Sequence, residues 1–393
     1  MKLYHGSPKN LKIIKPQRAR GYHEFENQKA IFLTDSLTQA ALYALGKTLK
    51  GKTSFALPPN KLLIIGNEKP KEGYVYSVNI DAKKGIWDQY SYNRPIKTFK
   101  KIKIRASEYK ENIAYVKTND KLMEICINEK KKWLEKNGYC IPKIKFGVSN
   151  VNNYLPTILR FLIPKKGEWN WKEKILNEYP NLKIKLKKIN NISEKEKVIK
   201  NFFEKKYREK KPNLKIKKRE FEKKWDKISD EFFLALSEVI GINFPKKMKI
   251  LKANVTLNPI CPRYLQEYSF DLYHKFKFNQ MVAVSMHEIC HFIYFEKYRE
   301  VFKKIKPKCG NILNLHLSEI VPSIILNEKK FQKIMKYNHK TYKEYSNVKI
   351  QRKNLVLHIK NIFNKRKNFE DFLIKADMFI HKHQKVIKKG LKD

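Results

Sequence analysis

Hydrophobic and polar positions change rhythm once along this chain. Up to about residue 118 the apolar residues come in short runs: Ile31-Phe32-Leu33 reads as a strand, and residues 74–78 and 101–104 alternate with a period of two. Asp35 or Ser36 stands where a helix running through Ala44 would take its N-cap. From about residue 119 the period lengthens to that of helices. Ser193 and Glu196 have the spacing of a capping box. Phe221, Trp225, Ile228, Phe232 and Leu236 form an apolar stripe that stops at Gly241, the predicted C-cap. Residues 248–257 alternate as a strand before the Pro-rich turn 258–262. One long helix is predicted over 279–298 and another over 312–327, with Pro322 inside it. Beyond 328 the chain reads as helical and basic. The pattern predicts an α+β protein with a mixed α/β domain at 1–118 and a mainly helical domain with a small sheet at 119–393. The core of the second domain is placed at about 215–330, and its basic tail at 331–393.

Composition agrees with two or three domains, since 393 residues are divided at about 150 per domain. An apolar fraction of 42% is enough to build cores and excludes disorder throughout. The net charge of +48 points at polyanions, but only 11 of the 86 cationic residues are Arg. Lys lacks the planar fork that reads phosphate and guanine, so compositional drift toward Lys accounts for most of the excess. Residues 182–227 hold 19 Lys+Arg against 7 Asp+Glu. Such a run reads as a solvated helix face, with Phe202, Phe203, Tyr207 and Trp225 packed beneath it or displayed along a phosphate-tracking surface. No window approaches 18 uncharged apolar residues, so no membrane span is expected. Five cysteines without a CxxC pair exclude a disulfide framework, and the start MKLYHGSPKN shows no signal-peptide stretch. A reducing, cytoplasmic setting is the expectation.

The densest chemistry lies in His287-Glu288-Ile289-Cys290-His291, an HExxH motif. Four residues make about one helical turn, so both imidazoles leave one face and can share a metal ion. Glu288 is offset beside them, where it can hold a water and take its proton. A catalytic zinc site needs a third protein ligand and leaves one position to water. Glu319 on the following helix is the first candidate for that ligand. His316 is the alternative, either as the ligand or as a group that steadies one.

This order of helix, strand, HExxH helix and Glu-bearing helix resembles the zincin metallopeptidases of the Glu-ligand (gluzincin) type. The stretches HEICHFIYFEKY and HLSEIVPSIILN are also similar to an uncharacterised bacterial group of metallopeptidase-like proteins. The likeness covers residues 230–327 and, more loosely, 119–230. It implies Zn2+ on His287, His291 and Glu319, Glu288 as general base, and a peptide or protein substrate. It also implies that the strand at 253–257 is the sheet edge along which that substrate pairs. The 27 residues between His291 and Glu319 exceed the usual gap in that family.

A second resemblance rests on Leu3-Tyr4-His5-Gly6-Ser7-Pro8, then Ala30-Ile31-Phe32-Leu33-Thr34-Asp35-Ser36, then Ala40-Ala41-Leu42-Tyr43. This order resembles the ADP-ribosyltransferases of the diphtheria-toxin-like, His-Tyr-Glu kind, over residues 1–118. It implies an NAD site in which His5 and Gly6 hold the ribose and nicotinamide amide, while Phe32 and Tyr43 sandwich the ring. Gln89 stands at the place of the catalytic Glu, within Trp87-Asp88-Gln89-Tyr90-Ser91; Asp88 or Glu108 takes that place in another register. Gln carries no charge to steady an oxocarbenium ion, so the domain is expected to keep an NAD site with or without activity. The leading expectation is therefore a zinc metallopeptidase fused to an ADP-ribosyltransferase-like domain. Two alternatives stand beside it: a mono-ADP-ribosyltransferase or toxin-like effector with an accessory zinc site, and a non-enzymatic polyanion-binding protein.

Overall fold

Strands dominate the first third of the chain and helices the rest, giving an α+β protein. The structure, a computed structural model, describes residues 1–19, 25, 28–49, 54–57, 60–85, 88–116, 128, 131–132, 134–164, 171–303 and 305–391. Contacts divide it into two units, Met1–Cys140 and Ile141–Asp393. The position expected as the boundary, residue 118, lies outside the described residues.

The first unit runs β1 (Lys2–Ser7), β2 (Gln17–Arg18), β3 (Lys29–Thr34), α1 (Leu37–Gly46), β4 (Ser54–Leu57), β5 (Lys61–Ile65), β6 (Gly73–Asn79), β7 (Lys83–Lys84), β8 (Gln89–Tyr92), β9 (Lys100–Ile104), β10 (Ile113–Val116) and β11 (Tyr139–Cys140). Its main sheet has the order β7-β8-β3-β1-β6-β9, with β2 added on β3. Alternation sorts the side chains. Leu3, Ile31, Leu33, Tyr76 and Val78 share one buried face, while Val75 on the other face packs with α1. Ser36 caps α1 by accepting the Gln39 N–H. The helix lies so close to β1 that a Cβ on Gly6 would stand 2.0 Å from the Ala40 carbonyl oxygen.

The second unit runs β12 (Lys143–Val148), α2 (Val151–Leu162), α3 (Lys172–Glu178), α4 (Pro180–Lys187), α5 (Ile192–Trp225), α6 (Ser229–Ile240), β13 (Phe244–Pro245), β14 (Ile250–Thr256), β15 (Arg263–Tyr264), β16 (Ser269–Tyr273), α7 (Phe278–Phe302) and α8 (Asn311–Ile325). The basic tail continues with α9 (Lys329–Ile334), α10 (Lys343–Asn347), the small hairpin β17 (Lys349–Ile350) and β18 (Lys353–Asn354), then α11 (Leu355–Asn364), α12 (Phe369–Lys382) and α13 (Gln384–Leu391). Its four-stranded sheet has the order β12-β14-β16-β15, parallel except for the antiparallel β15.

Three details depart from the sequence reading. The strand expected as the substrate edge, β14, is interior, paired on both sides; the edge beside β16 is the two-residue β15. The N-cap of α5 is Asn191, whose side chain accepts the Glu194 N–H, so the box is not formed by Ser193 and Glu196. The apolar stripe belongs to two helices, because the chain leaves α5 after Trp225 and restarts at Ser229, while keeping the left-handed Gly241 as C-cap (φ 68°). Of the aromatics of the basic segment, Phe203 and Trp225 are fully buried core residues, while Phe202 and Tyr207 are half-buried. Among the described residues no helix is long and apolar enough to cross a membrane.

Candidate metal centre

Helix α7 is buried on nearly every side, with Met281, Met286, Ile289, Phe292 and Ile293 in the core. Phe292 meets Phe270 of β16, ring centroids 6.4 Å apart, so the helix is seated on the sheet. One turn apart on α7, His287 and His291 bring their Nε2 atoms to 3.1 Å. Helix α8 packs alongside and delivers Glu319, whose Oε2 lies 3.5 Å from His287 Nε2 and 3.7 Å from His291 Nε2. These three residues form a group able to hold a metal ion. The donor set fits zinc: bonds of about 2.0–2.1 Å in a tetrahedron put donor atoms roughly 3.3–3.4 Å apart, which the three separations bracket. Glu319 Oε2 and Glu288 Oε2 are buried with no hydrogen bond of normal geometry among the described residues.

Arg263 completes the arrangement, and sequence reasoning missed it. It stands on the edge strand β15 and donates from one guanidinium nitrogen to Glu319 Oε1 at 2.6 Å. Its other terminal nitrogen lies 3.5 Å from Glu288 Oε2. The only signal in the sequence was its identity, one of 11 Arg in a chain whose other 75 cationic residues are Lys.

Charge follows from these contacts. Burial pushes the Glu288 carboxyl up, against the pull of His287 and Arg263. Burial opposes ionisation of Glu319 as well, but His291, His287 and Arg263 outweigh it and hold the carboxyl far below its usual range. His291 is fully buried and is held well below the usual imidazole range by that burial. For His287 burial acts in the same direction, yet Glu319 and Glu288 overcome it and raise the ring. Burial and the carboxylates of Glu319 and Glu288 raise the Tyr342 hydroxyl. Burial, helped by His287, brings His339 down to about 4. Both side chains therefore lie within electrostatic reach of the centre.

His316 stands outside the group. Its Nδ1 lies 3.1 Å from the Tyr345 hydroxyl, toward α10, and Glu319 occupies the place beside the imidazoles. His291 Nδ1 has no hydrogen-bond partner among the described residues, so that ring is held by packing and by the polar contacts of its Nε2.

The amino-terminal candidates do not gather in the same way. His5 donates from Nδ1 to the Phe32 carbonyl at 2.9 Å. Its register partner is Tyr76, which puts it on the face of Leu3 and Val78. Phe32 pairs with Ser91 and Gln89 with Thr34, and the Tyr4↔Thr34 pair places these on the opposite face. Gly6 is required by the approach of α1. Tyr43 lies on α1, 39% exposed, with Lys47 Nζ 5.9 Å from its ring centre. Asp88 accepts from Thr34 Oγ1 at 2.9 Å, and Glu108 accepts from the Arg105 N–H. Trp87 lies outside the described residues.

The chain matches no family model, no curated protein and no solved structure.

Proposed function

We propose that the second unit is a zinc-dependent peptidase, with His287, His291 and Glu319 as ligands and Glu288 as general base. The observation that supports this most is the convergence of three donor atoms from two helices at 3.1–3.7 Å, with Glu288 beside them. A bound zinc ion supplies Lewis acidity, activating a water and polarising a carbonyl.

The remaining work falls to the chain. Glu288, raised by burial, is suited to take a proton from a nucleophilic water and return it to the leaving amine. Arg263 keeps Glu319 Oε1 occupied, so that Oε2 alone faces the imidazoles. The core around α7 excludes solvent and strengthens each of these interactions. The short edge of β15, which carries Arg263, offers backbone groups to an extended peptide.

Two measurements test the reading. Elemental analysis of the purified chain should give one zinc per molecule. Glu288→Gln should keep that zinc while losing at least a hundredfold in hydrolysis of a generic protein substrate such as casein. Absence of stoichiometric metal, or full activity in Glu288→Gln, would sink it. Among the described residues of the first unit no comparable convergence supports NAD chemistry.

A further inference from the structure

The sheet of the second unit has two unlike faces. Phe270 faces α7 and the metal centre. On the other face Gly147, Asn254 and Asp271 lie side by side across β12, β14 and β16. Interior strands of a parallel sheet covered on both sides normally carry Val, Ile or Leu at such positions. A polar row there breaks the pattern, and local rules tend to be broken where a site is built.

A cavity of about 320 Å³ opens over this row, lined by Ser149, Asn254, Tyr264, Glu267, Ser269 and Asp271, with Asn153 at its rim. Helix α2 borders it, its Thr157 Oγ1 3.3 Å from the Tyr264 hydroxyl. Asp271 is 2% exposed, hydrogen-bonded by Asn254 and, at 3.4 Å, by Tyr264. Burial pushes its carboxyl up to about 7, against those two hydrogen bonds. Tyr154 on α2 is fully buried, and its hydroxyl has no hydrogen-bond partner among the described residues.

Buried carboxylates are ordinarily paired with a cation or ligate one. Glu319 and Glu288 have Arg263, but among the described residues neither Asp271 nor Glu267 has a cation within ion-pair distance. None of the lining residues is basic, in a chain with 86 Lys and Arg. The lining supplies carboxylate, amide and hydroxyl oxygens, all of which accept from N–H donors. The space is several times the roughly 30 Å³ share of one water, too large for a bare ion and suited to a small organic group.

We propose that this cavity binds an organic cation through its ammonium or guanidinium group, with Asp271 as the buried anchor and Glu267 at the rim. The group can belong to a free amine or to a Lys or Arg side chain of a peptide. The inference does not depend on the metal centre, which lies on the other face of the sheet.

Titration calorimetry on the full chain, with and without chelator, tests it. Agmatine and cadaverine should each saturate one site, and the uncharged 1,5-pentanediol should not. Asp271→Asn should weaken amine binding at least tenfold at an unchanged fold, and Glu267→Gln, at an exposed position, should weaken it severalfold. A blocked acetyl-Gly-Arg-Gly-amide that binds as well as agmatine identifies a peptide side chain as the ligand. One that fails while agmatine binds identifies a free amine. The proposal is overturned if no amine saturates, if calcium chloride alone binds, or if amine affinity is equal in the wild type and Glu267→Gln and, where it folds, Asp271→Asn.

Discussion

Glu319 divides its two oxygens between different tasks. Oε1 accepts from Arg263, and Oε2 faces the imidazoles. Removing the guanidinium frees the carboxylate to rotate and leaves two buried acids without their counter-charge. Arg263→Ala should therefore weaken zinc binding by about 10–100-fold, the range seen when partners of metal ligands are lost. Arg263→Lys should fall between, because an ammonium cannot reach two carboxylates with a planar fork. Competition with a chromophoric chelator reads both. Asp271 gives a pH prediction with a defined sign. Its folded value near 7 lies above the roughly 3.9 of an unfolded Asp, so the native state binds the extra proton. Between about pH 4 and pH 7 the wild type loses stability relative to Asp271→Asn as pH rises, up to a ceiling on the order of 4 kcal/mol. The difference in Tm should widen over that window and level off above it; a gap independent of pH refutes the shift. At this scale the sequence was readable where chemistry is local. The HExxH spacing puts two imidazoles on one turn, whereas Arg263 reaches Glu319 across 56 residues and left no pattern. His316 and Glu319 were both open as ligands because three residues of helix separate them by only about 60° of azimuth.

Elements were legible by period, and their neighbours were not. The short apolar run at 31–33 became β3, the period-two runs became β6 and β9, and Ser36 does cap α1. The break between α5 and α6 was invisible, because Trp225, Ile228 and Phe232 keep helical spacing across it. Strand order was equally hidden. β14 becomes interior only because Lys143–Val148 returns from about a hundred residues earlier to pair with it. The His5-Gly6 pair shows how a motif can have a packing cause. The methyl group of Gly6→Ala would meet the Ala40 carbonyl, so α1 must shift. We expect a loss of about 1–3 kcal/mol, seen as a lower melting temperature of the first unit. An unchanged Tm would show that α1 yields freely.

On the scale of the whole molecule, two units with separate cores predict two thermal transitions in calorimetry. Zinc should raise and chelator lower only one of them, and Gly6→Ala should move only the other. A single transition that answers to both would contradict the division. Part of the positive charge is paired along the longest helix. Along α5, Lys200, Lys206, Lys217 and Lys218 pair with Glu204, Glu209, Glu220 and Glu222 at helical spacing. Exposed pairs of this kind contribute little to stability and are screened by salt.

The edge strand β15 is only two residues long. A polypeptide laid against it would gain one or two backbone hydrogen bonds, each contributing about 0.5–1.5 kcal/mol. For the proposed peptidase the recognition footprint would consequently be narrow. Discrimination between targets would then fall to the side chains immediately flanking the scissile bond, and residues farther along the target should be interchangeable.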